Sequence, residues 1–284
     1  MSRFRLGPAL LFCPADRPDR FDKAAERADA VILDLEDAVD PANRVAAREA
    51  LLAHPLDPAT TIVRVNAVDS DDFAVDFAAL ANTGYRTILL PKAASSRDAT
   101  ALADYDVVAL CETAEGVAAA AELASCPNVV ALMWGAEDLI ASLGGTSSRF
   151  ADGRYRDVAR HARSSVLLAA GARDKAAIDA VHLEIGDSAG LSAEAADAAA
   201  SGFAATACIH PDQVGIIRAA YRPTAEEVAF ARELLGAAQG ESGVFRFRGR
   251  MIDGPVLRHA EAVLRRAGSW RSSVSLGGVE ADAP

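Results

Sequence analysis

Short apolar runs alternate along the chain with longer stretches in which apolar residues recur at helical spacing. Such runs are typical of strands that are buried on both faces, and the stretches after them are typical of amphipathic helices. Eight strand–helix units in roughly 220 residues predict a closed (β/α)₈ TIM barrel rather than an open doubly wound sheet. The predicted strands are Ala9–Cys13, Ala30–Leu35, Thr61–Val65, Thr87–Leu90, Val107–Cys111, Val129–Met133, Ala180–Ile185 and Ala205–Ile209.

The chain after about Pro223 does not follow this repeat. We predict a helix that Thr224 caps, a short strand at 244–247 and a second helix at 255–267. Residues 268–284 are rich in Ser, Gly and Ala, and we expect a flexible tail there. The predicted organisation is a barrel over residues 1–222 followed by a helical extension over 223–267. The extension either packs outside the barrel or serves as a lid and oligomerisation contact.

The formal net charge of the 284 residues is −11. A surface this acidic repels phosphate backbones and anionic lipid, so we expect neither nucleic acid nor membrane as a partner. No apolar run approaches the roughly 18 residues of a membrane span. The four cysteines are far apart and form no CxxC pair, which argues against a zinc site and is typical of a reduced, cytoplasmic protein.

Polar side chains follow almost every predicted strand, at the end where TIM barrels have their active sites. Asp34, Glu36 and Arg64 differ from ordinary loop residues because they lie within or directly after apolar runs. Any other single residue of the set is equally consistent with a solvated loop. The set comprises Asp34, Glu36, Asp37, Arg64, Asn66, Lys92, Glu112, Gly135, Ala136, Glu137, Asp138, Glu184, Asp187 and His210.

The carboxylates in this set predict a metal site. Several carboxylates at one rim repel one another unless a cation lies among them. Oxygen ligands without cysteine or clustered histidine suit Mg²⁺ or Mn²⁺ better than zinc, and Mg²⁺ usually takes one or two protein carboxylates. Glu112 and Asp138 follow adjacent strands, so we expect them to hold one ion.

Two cations lie at the same rim. The planar fork of Arg64 suits a substrate carboxylate, and Lys92 suits a phosphate or an excess of carboxylates. For both, an internal ion pair with Glu36 or Asp37 is an equal alternative. We expect a structural role for His210, hydrogen-bonded to the backbone, rather than acid–base chemistry.

The motifs of the chain resemble those of one family. They resemble the citrate lyase beta subunit and its relatives, the malyl-, citramalyl- and citryl-coenzyme A lyases of the HpcH/HpaI aldolase superfamily. The similarity runs from about Leu10 to Ala267; ILDLEDAV and GAEDL together are specific, whereas IHP alone is weak. In chain order the motifs are LLFCPADRPDRF, VILDLEDAV, IVRVNA, LLPKA, ETAEGV, WGAEDLIASLGG, CIHPDQV and RMIDGPVLRHAEAVL.

The resemblance implies a (β/α)₈ barrel, usually a homotrimer, with one Mg²⁺ per subunit and coenzyme A as part of the substrate. It places the metal on Glu112 and Asp138, and it places the carboxylate of a ketoacid on Arg64. It also implies that Glu36 and Asp37 act in catalysis from the water shell of the metal.

The resemblance gives the C-terminal extension a role as well. It implies that Asp253 reaches the site of a neighbouring subunit as a proton-transfer group; the alternative is an aspartate that caps the helix beginning at Pro255. We also expect Lys92, Gly135 and Ala136 to contact the substrate, because they follow predicted strands at the rim.

The chain departs from the family pattern at two places. Gly7-Pro8 replaces the Arg-Ser that many members carry before the first strand, and Thr206 replaces a lysine before the IHP motif. The second change leaves the details of coenzyme A binding open. The segment between Lys92 and Glu112 is shorter than in subunits that form citrate lyase complexes, which favours a stand-alone enzyme.

The expected activity is a Mg²⁺-dependent carbon–carbon lyase. Its substrate is a short 3-hydroxyacyl-coenzyme A that carries a carboxylate, of the citramalyl, malyl, citryl or hydroxymethylglutaryl type. The products are a ketoacid, or acetoacetate, and an acyl-coenzyme A. The alternatives are a thioesterase or synthase acting on the same thioesters, a non-catalytic subunit of a lyase complex, and an aldolase acting on free sugar acids.

Overall fold

A computed structural model of the protein describes residues 4–241 and 243–275, with side chains as far as residue 268. Within them, eight parallel strands close into a barrel in which each strand pairs with its sequence neighbours and β8 pairs with β1. The predicted (β/α)₈ fold is confirmed. The strands are β1 Ala9–Pro14, β2 Ala30–Asp34, β3 Thr61–Arg64, β4 Thr87–Leu90, β5 Asp106–Cys111, β6 Val129–Trp134, β7 Ala176–Asp179 and β8 Ala205–Cys208.

Helices connect and surround these strands. Two of the short 3₁₀ turns begin with a proline and are capped by the aspartate before it. These aspartates, Asp40 and Asp57, accept hydrogen bonds from backbone N–H groups at 2.9 Å. The helices of this part of the chain are α1 Phe21–Arg27, α2 Arg44–Ala53, α3 Phe73–Leu80, α4 Ser96–Thr100, α5 Ala114–Ser125, α6 Ala136–Ser142, α7 Asp157–Gly171, α8 Ser188–Ser201 and α9 Pro211–Tyr221.

Alternate strand residues fill the interior of the barrel, and the residues between them face the helices. Both faces of each strand are therefore buried, which explains why the strands appear in the sequence as apolar runs rather than as alternating patterns. The buried interior side chains include Leu10, Ile32, Ile62, Leu89, Val108, Leu110, Met133 and Ile178.

The seventh strand differs from the prediction. It is Ala176–Asp179, not Ala180–Ile185. The predicted segment alternates apolar and polar residues as a half-buried strand would, yet Leu183 and Ile185 are 47% and 48% exposed in a loop. A barrel strand needs burial on both faces, and the small residues of the true strand satisfy that need. Asp179 therefore ends β7, in place of the predicted Glu184 and Asp187.

The helical stretch after β6 is divided around the Gly144-Gly145 pair. The helix α6 ends at Ser142 and α7 begins at Asp157. Gly144 has a φ of 74°, a left-handed conformation that glycine adopts without steric cost.

The chain divides after Arg218 into two compact units. The second contains α10 Ala225–Ala237, the antiparallel hairpin of β9 Phe245–Phe247 and β10 Arg250–Ile252, and α11 Gly254–Ser275. Its buried core consists of Ala231, Leu234, Ile252 and Ala260.

The local signals of this unit were partly predicted. Thr224 caps α10 as expected, in a capping box with Glu227. The strand β10 was not predicted, because it has three residues and only Ile252 is buried. The helix α11 continues to Ser275, so residues 268–275 are helical where we expected tail; the rest of that expected tail, 276–284, lies outside the described residues.

No helix among the described residues has both the length and the apolar character needed to cross a membrane.

Replacing Leu89 by alanine should test the packing of the barrel interior. Leu89 is 1% exposed, so its truncation should lower the free energy of unfolding by about 2–5 kcal/mol. Thermal and urea unfolding followed by circular dichroism would measure the change. Leu52→Ala is the control because Leu52 is 46% exposed; equal losses in the two variants would contradict the described interior.

Candidate active site

Charged side chains from neighbouring strands meet at the carboxyl end of the barrel. Asp34 and Arg64 are the last residues of β2 and β3, and they are partners in the strand register. Lys92 follows β4 by two residues and Glu112 follows β5 directly, while Asp138 lies in the first turn of α6. Because all strands are parallel, these positions share one rim, as predicted.

Arg64 and Asp34 form a buried two-point ion pair. Arg64 Nε donates to Asp34 Oδ1 at 2.7 Å and Nη2 donates to Oδ2 at 2.5 Å, and the Asp34 side chain has no exposed surface. Burial opposes the charge of Arg64, but the hydrogen bonds and charge of Asp34, with Glu36 beside it, raise the pKa of Arg64 above its usual value. Arg64 is therefore in an internal ion pair, but its principal partner is Asp34 rather than the Glu36 or Asp37 considered from the sequence.

Glu36 lies between the two cations. Its Oε2 is 3.1 Å from Arg64 Nη1, and Lys92 Nζ donates to its Oε1. Burial raises the pKa of Glu36, and Arg64 and Lys92 oppose that shift only in part. Among the described residues, Oε2 has no partner in hydrogen-bonding geometry despite its proximity to Arg64. One buried carboxylate oxygen is thus available to a ligand.

Lys92 contacts two carboxylates through different groups. Its ammonium binds Glu36 and lies 3.9 Å from the exposed Asp37, whereas its backbone N–H donates to Glu112 Oε1 at 3.0 Å. Its φ of 51° is in the left-handed region, uncommon for a residue with a side chain. Such local strain is found where surrounding contacts fix the backbone, as the bond to Glu112 does here.

Glu112 is buried, and no cation among the described residues forms an ion pair with it. Burial, followed by the charges of Asp138 and Glu36, raises the pKa of its carboxyl to about 8. Gly135 lies against it: a Cβ atom there would be 2.9 Å from Glu112 Cβ and 3.0 Å from Oε2. Ala136, the first residue of α6, is buried beside them. The close approach explains why glycine stands between β6 and α6.

These residues fit a hard divalent cation. The charge of Asp138 is near enough to help raise the pKa of the Glu112 carboxyl, and a cation between the two carboxylates would remove that repulsion. The part of the chain that the structure describes contains no cluster of three His, Cys, Asp or Glu side chains suited to a metal. Two carboxylates, completed by water or substrate oxygens, match Mg²⁺ rather than a structural zinc site.

A second network of hydrogen bonds connects the same rim to helices outside the barrel. Asn66 Nδ2 donates to the backbone oxygen of Leu35 at 3.0 Å and to Asp76 Oδ2 at 2.8 Å. Arg48 Nε on α2 donates to Asp76 Oδ1 at 2.7 Å, and Asp76 is fully buried on α3. The loop that carries Glu36 is thus attached to two helices, a role that the sequence did not indicate for Asp76.

Other predicted rim residues have structural partners. Asp187 caps α8 by accepting from Gly190 N at 2.9 Å, and His210 Nδ1 accepts from Asp212 N at 3.3 Å, the backbone role expected for His210. Glu184 is exposed in the loop after β7. Asp179, which ends β7, binds Arg163 at 2.9 and 2.8 Å.

Asp253 lies in the C-terminal unit, immediately before α11. Its Oδ1 accepts a long hydrogen bond of 3.4 Å from Val256 N in the first turn of that helix. This contact is of the capping kind weighed for Asp253, and the role in proton transfer stays a prediction.

Comparison with known proteins adds to this geometry. Residues 9–211 match the family described as HpcH/HpaI aldolase/citrate lyase. The chain belongs to this family. The match spans the barrel from β1 to the beginning of α9, and it confirms the resemblance that the motifs carried.

Proteins with different descriptions are similar to this chain. A citrate lyase subunit beta-like protein of Mycobacterium tuberculosis is 59% identical over 266 residues, which cover 94% of this chain and 97% of that protein. A (3S)-malyl-CoA thioesterase of Cereibacter sphaeroides is 32% identical over 271 residues, which cover 91% and 92%. The crystal structure of CitE from M. tuberculosis in complex with magnesium, acetoacetate and coenzyme A has a TM-score of 0.89 at 58% identity, covering 93% of this chain and 98% of that chain.

Replacing Gly135 by alanine should weaken divalent-cation binding. The new Cβ would lie 2.9 Å from Glu112 Cβ, which is closer than packed atoms tolerate, so the Glu112 side chain would have to shift. Disturbing a metal ligand in this way typically lowers metal affinity roughly 10–100-fold. Titration calorimetry with Mg²⁺ and Mn²⁺ would measure the loss. Gly171→Ala is the control, since a Cβ there has no neighbour within 4 Å; unchanged affinity in Gly135→Ala would argue against Glu112 as a ligand.

Proposed function

We propose that this chain is a Mg²⁺-dependent carbon–carbon lyase that cleaves a short, carboxylate-bearing 3-hydroxyacyl-coenzyme A into a ketoacid, or acetoacetate, and an acyl-coenzyme A. The observation that carries the proposal is the guanidinium of Arg64 at the same rim as the carboxylates of Glu112 and Asp138, where burial and the charge of Asp138 raise the pKa of Glu112. Anion-binding and cation-binding groups side by side suit a substrate whose carboxylate and reacting oxygen are close together. The M. tuberculosis complex with magnesium, acetoacetate and coenzyme A supports the same choice.

We assign the cation to Glu112 and Asp138, one Mg²⁺ per subunit. Bound there, Mg²⁺ would act as a Lewis acid and template for the reacting oxygens. Arg64 would hold the carboxylate of the ketoacid portion. Gly135 leaves space beside Glu112 at that position, and Ala136 lines the same turn.

We assign proton handling to the acidic groups around this centre. Glu36 Oε2, which has no partner in hydrogen-bonding geometry among the described residues, would hold a water molecule or the substrate hydroxyl. Asp37 lies at the exposed edge, and Lys92 opposes in part the rise that burial causes in the pKa of Glu36. As the C–C bond breaks, the hydroxyl proton would pass to the Glu36 carboxylate, directly or through that water, and the thioester would depart as an enolate that must gain a proton at carbon. We propose Asp253 of a neighbouring subunit as the donor of that proton.

This role for Asp253 implies that residues 223–267 form a lid on another subunit, most simply in a closed homotrimer. We also propose a cytoplasmic location, because Cys13, Cys111, Cys126 and Cys208 are all free and buried.

A thioesterase is the second candidate, because the chain is similar to a (3S)-malyl-CoA thioesterase. There water would attack the thioester carbonyl and release free thiol. Incubating the chain with malyl-, citramalyl-, citryl- and hydroxymethylglutaryl-coenzyme A, with and without Mg²⁺, separates the two by mass spectrometry. Acyl-coenzyme A with ketoacid supports the lyase, free coenzyme A with an intact hydroxyacid supports the thioesterase, and no turnover contradicts both.

Removing one metal ligand should abolish most of this turnover. Glu112→Gln or Asp138→Asn should lower kcat/KM roughly 100-fold or more, because the cation supplies several kcal/mol of charge stabilisation. A chelator should do the same to the wild type. Glu115→Gln is a matched control from the same ETAEGV segment, since Glu115 is exposed on α5. Wild-type rates in Glu112→Gln would remove Glu112 from the metal site.

Mixing two inactive variants should test the role of Asp253. If Asp253 acts in a neighbouring subunit, Asp253→Asn and Glu112→Gln chains should each be inactive alone and regain roughly a quarter of wild-type activity when assembled randomly in equal amounts in a closed ring. The measurement is kcat after denaturation and co-refolding. No recovery from properly assembled mixtures would exclude catalysis in trans.

A further inference from the structure

We propose that Asp34 is a positioning residue that decides which edge of the Arg64 guanidinium meets a ligand. This inference rests on the proposed function, in that it takes Arg64 as the group that binds the carboxylate. Asp34 itself has no exposed surface, so it acts through Arg64 rather than by contact with the ligand.

Asp34 occupies one complete edge of the guanidinium. An arginine side chain has five N–H groups, one on Nε and two on each terminal nitrogen. The bonds of 2.7 Å from Nε and 2.5 Å from Nη2 use two of them in the side-on arrangement that a carboxylate ligand would otherwise take. An incoming carboxylate is therefore restricted to the end of the group, where Nη1 and the second N–H of Nη2 point.

The Asp34 carboxylate is itself held in place. Its Oδ1 accepts from Glu36 N at 2.9 Å and its Oδ2 accepts from Ala38 N at 3.2 Å. Four donors thus fix the plane of one carboxylate, two from the arginine and two from the loop after β2. The same residue that orients Arg64 also sets the backbone that carries Glu36.

The remaining surroundings restrict Arg64 further. The ring of Phe12 lies under the guanidinium, with its centroid 5.0 Å from Cζ, and Glu36 Oε2 is 3.1 Å from Nη1. Asp34 also offsets much of the positive charge of Arg64. A ligand then gains more from correct alignment than from charge alone, which favours a planar carboxylate such as that of a short ketoacid.

Asp34→Asn should weaken binding of short ketocarboxylates without weakening binding of Mg²⁺. An amide has one accepting oxygen, so it cannot form two parallel hydrogen bonds with Nε and Nη2, and the guanidinium would lose its fixed orientation. Misplacement by about 1 Å costs roughly 100-fold in well-aligned sites. We expect about 10–100-fold weaker binding of pyruvate and acetoacetate by calorimetry in saturating Mg²⁺, and a rise of similar size in KM with a smaller change in kcat.

Asp29→Asn is the matched control. Asp29 precedes the same strand at its opposite end and also binds an arginine, Arg218, at 3.0 Å. This variant should bind ketocarboxylates like the wild type. Equal ketocarboxylate affinity in Asp34→Asn and wild type would overturn the role of Asp34. If the wild type bound no short carboxylate, the roles of both Asp34 and Arg64 would be overturned.

A chemical rescue separates positioning from simple loss of structure. In Arg64→Ala, added guanidinium ion at millimolar concentration should partly restore ketocarboxylate binding, because Asp34 would hold the ion where the side chain was. In Arg64→Ala/Asp34→Asn the ion should have no effect, because the carboxylate that would hold it is gone. This double variant should still fold, because removing both charges leaves no unpaired buried carboxylate. The same response in both variants, rescue or none, would overturn the inference.

These outcomes are distinct from a failure of the proposed reaction. Ketocarboxylate binding that depends on Asp34, without cleavage of any thioester, would remove the lyase and keep the positioning role. Cleavage of a thioester with an unaltered KM in Asp34→Asn would support the lyase and remove the positioning role of Asp34.

Discussion

Buried charge at the end of the barrel has to be compensated, and the arrangement of this rim follows from that requirement. The rim has two cations, Arg64 and Lys92, and three buried carboxylates, those of Asp34, Glu36 and Glu112. The first two carboxylates contact a cation directly. Glu112 does not, and its pKa is raised to about 8 as a result of burial and the neighbouring carboxylates. Among these three carboxylates, Glu112 is therefore the one at which a divalent cation would gain most.

The barrel could be predicted because the burial of each strand is visible in its own short stretch of sequence. A strand buried on both faces gives an apolar run, and β1 to β6 and β8 appear in the sequence as such runs. The strand β7 does not, because Ala176 and Ala177 are small enough to be buried in a helix or a strand alike. The more regular alternation of Val181, Leu183 and Ile185 then indicated the wrong segment. That pattern describes a half-exposed strand, which a closed barrel within a ring of helices does not use.

The site could be predicted only in part. The positions of Glu112 and Asp138 after adjacent strands depend on chain order alone, so their proximity followed from the fold. The partnership of Asp34 with Arg64 depends on the register between β2 and β3 and on side-chain length, neither of which the sequence displays. A charged residue at the end of an apolar run was the available signal for Asp34. The assignment of Asp253 depends on assembly, which lies beyond what one chain's sequence or fold determines.

Lys92 has a consequence for how this rim can vary. Its ammonium donates to Glu36 and its backbone N–H donates to Glu112. Two chemically independent parts of one residue therefore bind the two carboxylates. A replacement that accepts a left-handed backbone, such as glycine or asparagine, would change the protonation of Glu36 while sparing the hydrogen bond to Glu112. A β-branched replacement would disturb both. Position 92 therefore allows the protonation of Glu36 to change separately from the hydrogen bond to Glu112, but only through a narrow set of residues.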